Sequence, residues 1–208
     1  MSSTNPDEVA RNRLRAINTE VEQLRGHVPI PALQATPLPP ARTHRIMDLL
    51  AEAAVHHVRL KEFDEARRAI ADAILCMEDV VDGAAIARAS LLTGEALVEL
   101  DSPKHARTRL ELAVTFYDKI GDAKLVARSR TALARAMMLL DDPEGLALLR
   151  AVHADLLATG EAAMLARVET LLHEAINGGN AAETVRAGYG RAVSIPPGRT
   201  SLVPRRIP

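Results

Sequence analysis

KEFDEARRAIADAI, residues 61–74, superposes on DSPKHARTRLELAV, residues 101–114, when the chain is slid forty residues along itself. Ala66 then meets Ala106, Ile70 meets Leu110, and Ala73 meets Ala113. Upstream, the same step carries Ala54 onto Gly94 and then onto Ala134. The turns repeat as well. Leu100-Asp101-Ser102-Pro103 returns as Leu140-Asp141-Asp142-Pro143, in each case a polar N-cap followed by a proline suited to the first helical position. Ile120-Gly121-Asp122 returns as Thr159-Gly160-Glu161, where glycine can take the left-handed conformation that ends one helix and the acid can open the next. A self-similar unit of this length is the signature of a repeat architecture.

The unit is therefore helix, tight turn, helix, tight turn. The periodicity predicts helix pairs over 42–60 with 63–79, 85–100 with 103–120, and 123–140 with 143–158, and a closing helix over 162–177. The third pair is degenerate: Gly145, Leu149 and Val152 fall in step only after a one-residue deletion. Each pair exposes an apolar face that only a neighbour can cover, so an all-α chain stacked as a short right-handed solenoid is expected.

Composition agrees. Hydrophobic residues make up 48% of the 208 residues and aromatics only 2%, so the core must be Ala, Leu, Val, Ile and Met, which favours helices over a β-sandwich. The net charge of -1 excludes a general nucleic-acid sponge. One cysteine, Cys76, permits neither an intrachain disulfide nor an all-cysteine zinc site, and suits a reducing compartment. The N-terminus lacks an apolar signal core and no run of 18 apolar residues occurs, so a cytoplasmic protein without a transmembrane segment is expected.

Four zones follow. Residues 1–26 hold a polar helix that Asn5 caps, Pro6 starts and Gly26 stops. Residues 27–41 contain five prolines and read as a stiff extended linker. Residues 42–177 are the repeat domain. Gly178-Gly179 reads as a stop, and residues 178–208 as a flexible basic tail. In the first helix, Leu14, Ile17, Val21 and Leu24 form a seam of barely two heptads, too short to stand alone; it can dimerise weakly or, preferably, dock on the repeats or on another protein.

The pattern of a small residue in the first helix, then Ala, a larger apolar residue and Ala in the second, resembles the tetratricopeptide repeat. The forty-residue step is longer than usual for that family and is more similar to the extended repeats of kinesin light chains and of helical sensor domains in bacterial regulators. Two departures stand out. His57, Leu97 and Met137 occupy the aromatic positions, and the closing proline of the second helix is missing.

Ile86-Ala87-Arg88, Val126-Ala127-Arg128 and Leu165-Ala166-Arg167 recur at steps of forty and thirty-nine. The resemblance implies that first helices line a groove into which Arg88, Arg128 and Arg167 look, with Leu91 and Glu95, Thr131 and Arg135, and Thr170 and Glu174 further along the same face. Arginine forks suit carboxylates and phosphates, so the groove is expected to hold an acidic segment; the alternative is that the arginines pair with acids of the adjacent hairpin or lie in water. The Asn and Lys pattern of the carboxylate-clamp subtype is missing. His56-His57 is the one adjacent histidine pair, and its side chains point about 100° apart on a helix, so neither a metal nor a cofactor is expected. Asp141-Asp142 reads as capping rather than catalysis, and no nucleophile, phosphate-loop or zinc motif occurs.

Among the tail cations, Arg199, Arg205 and Arg206 can meet an acidic protein surface, a membrane or nucleic acid, the alternative being a solvated tail. The leading expectation is a non-enzymatic scaffold or adaptor subunit that binds one or more proteins, with self-association through the first helix as a further route. A regulatory sensor that binds a peptide or small effector is a second reading. A nucleic-acid-associated protein is a third, weakened by the scarcity of aromatics.

Overall fold

The computed structural model describes the backbone of residues 5–26 and 38–189, and side chains as far as residue 177. The described residues form two units, one ending at Leu172 and the other beginning at His173. They contain eight α-helices and no strand.

The first helix, α1 (Pro6–Arg25), starts as its sequence dictates: the Asn5 side chain accepts from the Asp7 backbone N–H at 3.1 Å. Then come α2 (Pro40–Arg59), α3 (Phe63–Met77), α4 (Gly83–Glu99), α5 (Pro103–Ile120), α6 (Ala123–Met138) and α7 (Glu144–Thr159). The last helix, α8 (Ala162–Tyr189), crosses from the first unit into the second.

Two helix limits differ from the sequence reading. α2 begins at Pro40, so Pro40 and Ala41 belong to a helix and not to the extended linker. Proline is tolerated there because a first-turn N–H has no intrahelical partner to lose. α8 continues through Gly178-Gly179, which therefore do not stop it. A glycine costs about 1 kcal/mol in a helix interior but does not forbid one, and Ala181, Ala182 and Glu183 beyond are good formers. Linker residues 27–37 and tail residues 190–208, with Arg199, Arg205 and Arg206, lie outside the described residues.

The forty-residue step recurs in the backbone. Each of the first three helix pairs turns through a residue of positive φ: Lys61 at 61°, Asp101 at 52° and Asp141 at 56°. The next amide then bonds back to the helix it has left. Glu62 N–H reaches the His57 carbonyl at 2.9 Å, Ser102 reaches Leu97 at 2.9 Å, and Asp142 reaches Met137 at 3.0 Å. These are Schellman closures at three equivalent places, and the accepting residues, His57, Leu97 and Met137, stand forty residues apart. Between pairs, Gly121 and Gly160 carry the positive φ instead. The Asp142 carboxylate also accepts from the N–H of Glu144, the first residue of α7, at 3.0 Å; the Ser102 side chain does not cap α5 but bonds His105 Nδ1 at 3.0 Å.

Each helix packs on the next within its pair (α2 with α3, α4 with α5, α6 with α7), and first helices also pack on one another, α2 with α4 and α4 with α6. Small residues let the axes approach. Ala54, Ala66, Ala73, Ala106, Ala113 and Ala134 have no exposed surface. At Gly94 a β-carbon would lie 2.6 Å from Leu110 Cγ, so α4 and α5 touch there almost backbone to side chain. Val168 of α8 is buried with Leu149, Val152 and Leu156 of α7.

Helix α1 lies on α2. Its seam residues Leu14, Ile17 and Val21 are buried, and two forks flank them: Arg13 holds Glu52 at 2.6 and 2.7 Å, and Arg45 holds Glu20 at 2.6 and 3.1 Å. The seam is thus spent within the chain, and self-association through it would require α1 to leave α2. No helix among the described residues is long and apolar enough to cross a membrane.

Candidate functional site

A cavity of about 460 Å3 runs across the first helices of successive pairs. Val55, Val58 and Arg59 come from α2, Glu95, Ala96, Val98 and Glu99 from α4, Thr131, Ala132 and Arg135 from α6, and Arg167 and Leu171 from α8. The floor is apolar, and its charges sit on helical residues held by the packing below.

The arginine column resolves into partners. Arg88 grips Asp48 of α2 through both carboxylate oxygens, at 3.0 and 2.7 Å. Arg128 grips Glu95 of α4 at 2.9 and 2.5 Å, and Arg135 pairs with Glu99 of α4. The hydrogen bond to Asp48 holds the Arg88 guanidinium above its usual pKa, and that to Glu95 does the same for Arg128. Burial pushes the Tyr117 phenol up, and it feels both arginines. Arg88 and Arg128 are therefore staples between neighbouring first helices. Exposed or half-exposed pairs of this kind contribute roughly 0.2–1 kcal/mol each.

Arg167 differs. It is exposed, lines the cavity, and has no acidic partner among the described residues. Arg59, at the end of α2, is also exposed and unpaired there, and it too lines the cavity. Sequence reasoning missed Arg59. Its signal was present, since stepping back forty residues from Glu99 lands on it.

Leu91 is corrected: it is 2% exposed and belongs to the core. Thr131 does line the cavity, but it is 3% exposed and its hydroxyl already donates to the Ala127 carbonyl at 2.8 Å. Both stand three residues after a column arginine. Three residues turn a helix by about 300°, which leaves them some 60° off the column and rotated inward. Seven residues return to within about 20°, and Glu95 and Arg135 accordingly do face the cavity. Thr170 is exposed and donates to the Ala166 carbonyl at 3.0 Å; Glu174 lies past Leu172, in the second unit, and is exposed.

No family model, curated protein or solved structure matches this chain. Among the described residues no three His, Cys, Asp or Glu side chains are placed to hold a metal ion. His57 bonds Glu62 at 2.7 Å, whereas His56 lies 3.6 Å from Glu52 and its Nδ1 is buried without a partner. Burial depresses the His56 pKa, against the pull of Glu52. Cys76 is buried, and burial pushes its thiol up to about 11, which leaves it a poor nucleophile.

Proposed function

We propose that the chain is a non-enzymatic interaction scaffold of the tetratricopeptide kind, a subunit of a cytoplasmic assembly. In this reading its helix pairs stack as a short solenoid, and the groove of its first helices holds an acidic protein segment. One observation carries it. Arg59 and Arg167 stand without acids on a cavity floored by Val55, Val58, Ala96, Val98 and Leu171, while Glu95 and Glu99 are neutralised by Arg128 and Arg135. Such a surface favours apolar side chains with carboxylates at their flanks, because guanidinium forks bind carboxylates with charge-assisted bonds.

The test is fluorescence anisotropy with a labelled twelve-residue peptide of alternating leucine and glutamate, and a control with glutamine for glutamate. The wild type is expected to bind the acidic peptide preferentially, more weakly as salt rises. Arg59→Glu with Arg167→Glu should weaken binding at least about tenfold, since each charge-assisted bond contributes about 1.5–3 kcal/mol. Equal affinity for both peptides, or an unaffected double variant, overturns the reading.

A further inference from the structure

A second cavity, of about 270 Å3, opens between α3 and α5, the second helices of the first two pairs. Ile70, Ile74 and Leu97 give it an apolar floor, and Arg67, His105 and Arg109 stand on its walls. No carboxylate lines it.

Arg109 is the anomaly. Its side chain is partly buried, and its Nη1 points inward to Met77 Sδ at 3.9 Å, a thioether and thus a weak acceptor. That sulfur already receives the Ser90 hydroxyl at 3.8 Å. Among the described residues no acid pairs with Arg109. Burial alone draws its pKa below the ordinary guanidinium value, with no opposing charge to raise it. The other arginine of α5 is satisfied: Arg107 binds Glu111 at 2.8 Å and Asp142 at 2.9 Å. Arg67 has only an exposed contact with Asp64, at 3.4 Å. A partly desolvated cation facing an apolar pocket that lacks an acid destabilises the free fold, and an anion brought from outside would relieve it.

We infer that the α3–α5 cavity is a docking site for a partner polypeptide that seats one apolar side chain over Ile70, Ile74 and Leu97 and sets an adjacent carboxylate on Arg109. At about 270 Å3 the cavity has room for an anchoring apolar side chain. Its charge selects an acid as the neighbour of that anchor. The site shares no lining residue with the groove of the first helices, so it stands or falls independently of that groove.

The test is NMR titration of the 15N-labelled full chain with the blocked dipeptide N-acetyl-Leu-Glu-amide. N-acetyl-Leu-Gln-amide and N-acetyl-Ser-Glu-amide serve as comparison probes. Saturable shifts are expected at the Arg109 Nε–H and at the amides of Ile70, Ile74 and Leu97. Both comparison probes should bind at least about tenfold more weakly. Arg109→Gln should abolish the preference for Leu-Glu over Leu-Gln, and Arg59→Glu with Arg167→Glu should leave the titration unchanged. Absent saturation, equal binding of Leu-Glu and Leu-Gln, or shifts confined to residues around Arg59 and Arg167, overturns the inference. The probe comparison is made on the wild type, so it holds whether or not the Arg109 variant folds.

Discussion

Placing a methyl group at Gly94 tests the hairpin crossing on which the fold rests. The added β-carbon would stand 2.6 Å from Leu110 Cγ and 2.7 Å from Cδ2, and Leu110 is fully buried, so it cannot swing aside. Overpacking of this kind costs about 1–3 kcal/mol. Alanine returns about 1 kcal/mol of helix propensity in mid-helix. Gly94→Ala alone should therefore destabilise by about 0–2 kcal/mol. Leu110→Ala alone removes the obstacle and leaves a cavity, at about 2–5 kcal/mol. In that background the added methyl meets Arg109 Cβ at an ordinary contact distance of 3.5 Å, and Gly94→Ala should stabilise by about 1 kcal/mol. The coupling between the two sites is then about 1–3 kcal/mol, whereas independent sites would show none. Urea denaturation of all four variants, followed by far-ultraviolet circular dichroism with m-values compared, measures it. If Gly94→Ala stabilises the wild type as much as it stabilises Leu110→Ala, the close approach of α4 and α5 is wrong, and so is the role assigned to the small residue of the repeat.

Two other perturbations probe separate features. Lys61 holds a φ of 61° without the side-chain bonding that helps aspartate there, so Lys61→Gly should stabilise by about 0.5–1 kcal/mol, and Asp101→Gly by less, in the same urea assay. His56 has a folded-state pKa below its unfolded value, through burial, with Glu52 opposing and Arg59 and Arg13 assisting. The unfolded chain therefore binds the proton more tightly. The His56 contribution is complete above about pH 6.5 and is lost as the pH falls below it, with a slope of at most about 1.4 kcal/mol per pH unit. His56→Gln should flatten the stability profile below about pH 6.5; an unchanged profile would show that the fold leaves the proton affinity of His56 as it is in the unfolded chain.

Much of the helix order was legible because it depends on local chemistry. Capping by Asn5, glycines at positive φ and the alternation of small and large apolar residues act within one or two turns, so each leaves its mark in a short window. What escaped depends on the facing surface. The column that reads Arg88, Arg128 and Arg167 begins one step earlier with an acid, Asp48, and that residue satisfies Arg88. The forty-residue step could have shown it. The partner of Arg128 could not be found that way: Glu95 lies thirty-three residues back, a separation set by how far α4 and α6 are offset along their axes. Leu91 stands three residues after Arg88, a rotation of about 60° that carries it from the groove into the core, whereas Thr131 at the same offset still reaches the cavity with its hydroxyl already bonded.

Pairing sorts the arginines into two kinds of work. Arg13, Arg45, Arg88, Arg128 and Arg135 each hold an acid on a neighbouring helix, and these bonds run from α1 to α2, from α2 to α4 and from α4 to α6. They give register to a stack whose alanine-rich core is smooth and would otherwise specify sliding poorly. A cation committed to such a bond offers little to a ligand, because a competing carboxylate must first displace one already in place. Arg59, Arg109 and Arg167 carry no such bond among the described residues, and they lie on two different surfaces, the first and third on one cavity and the second on another. Salt should therefore weaken the staples and the recognition of acids together, whereas charge-neutral substitutions at Arg59, Arg109 and Arg167 should affect recognition and spare the stack. That asymmetry separates the charges that build the surface from the charges the surface displays.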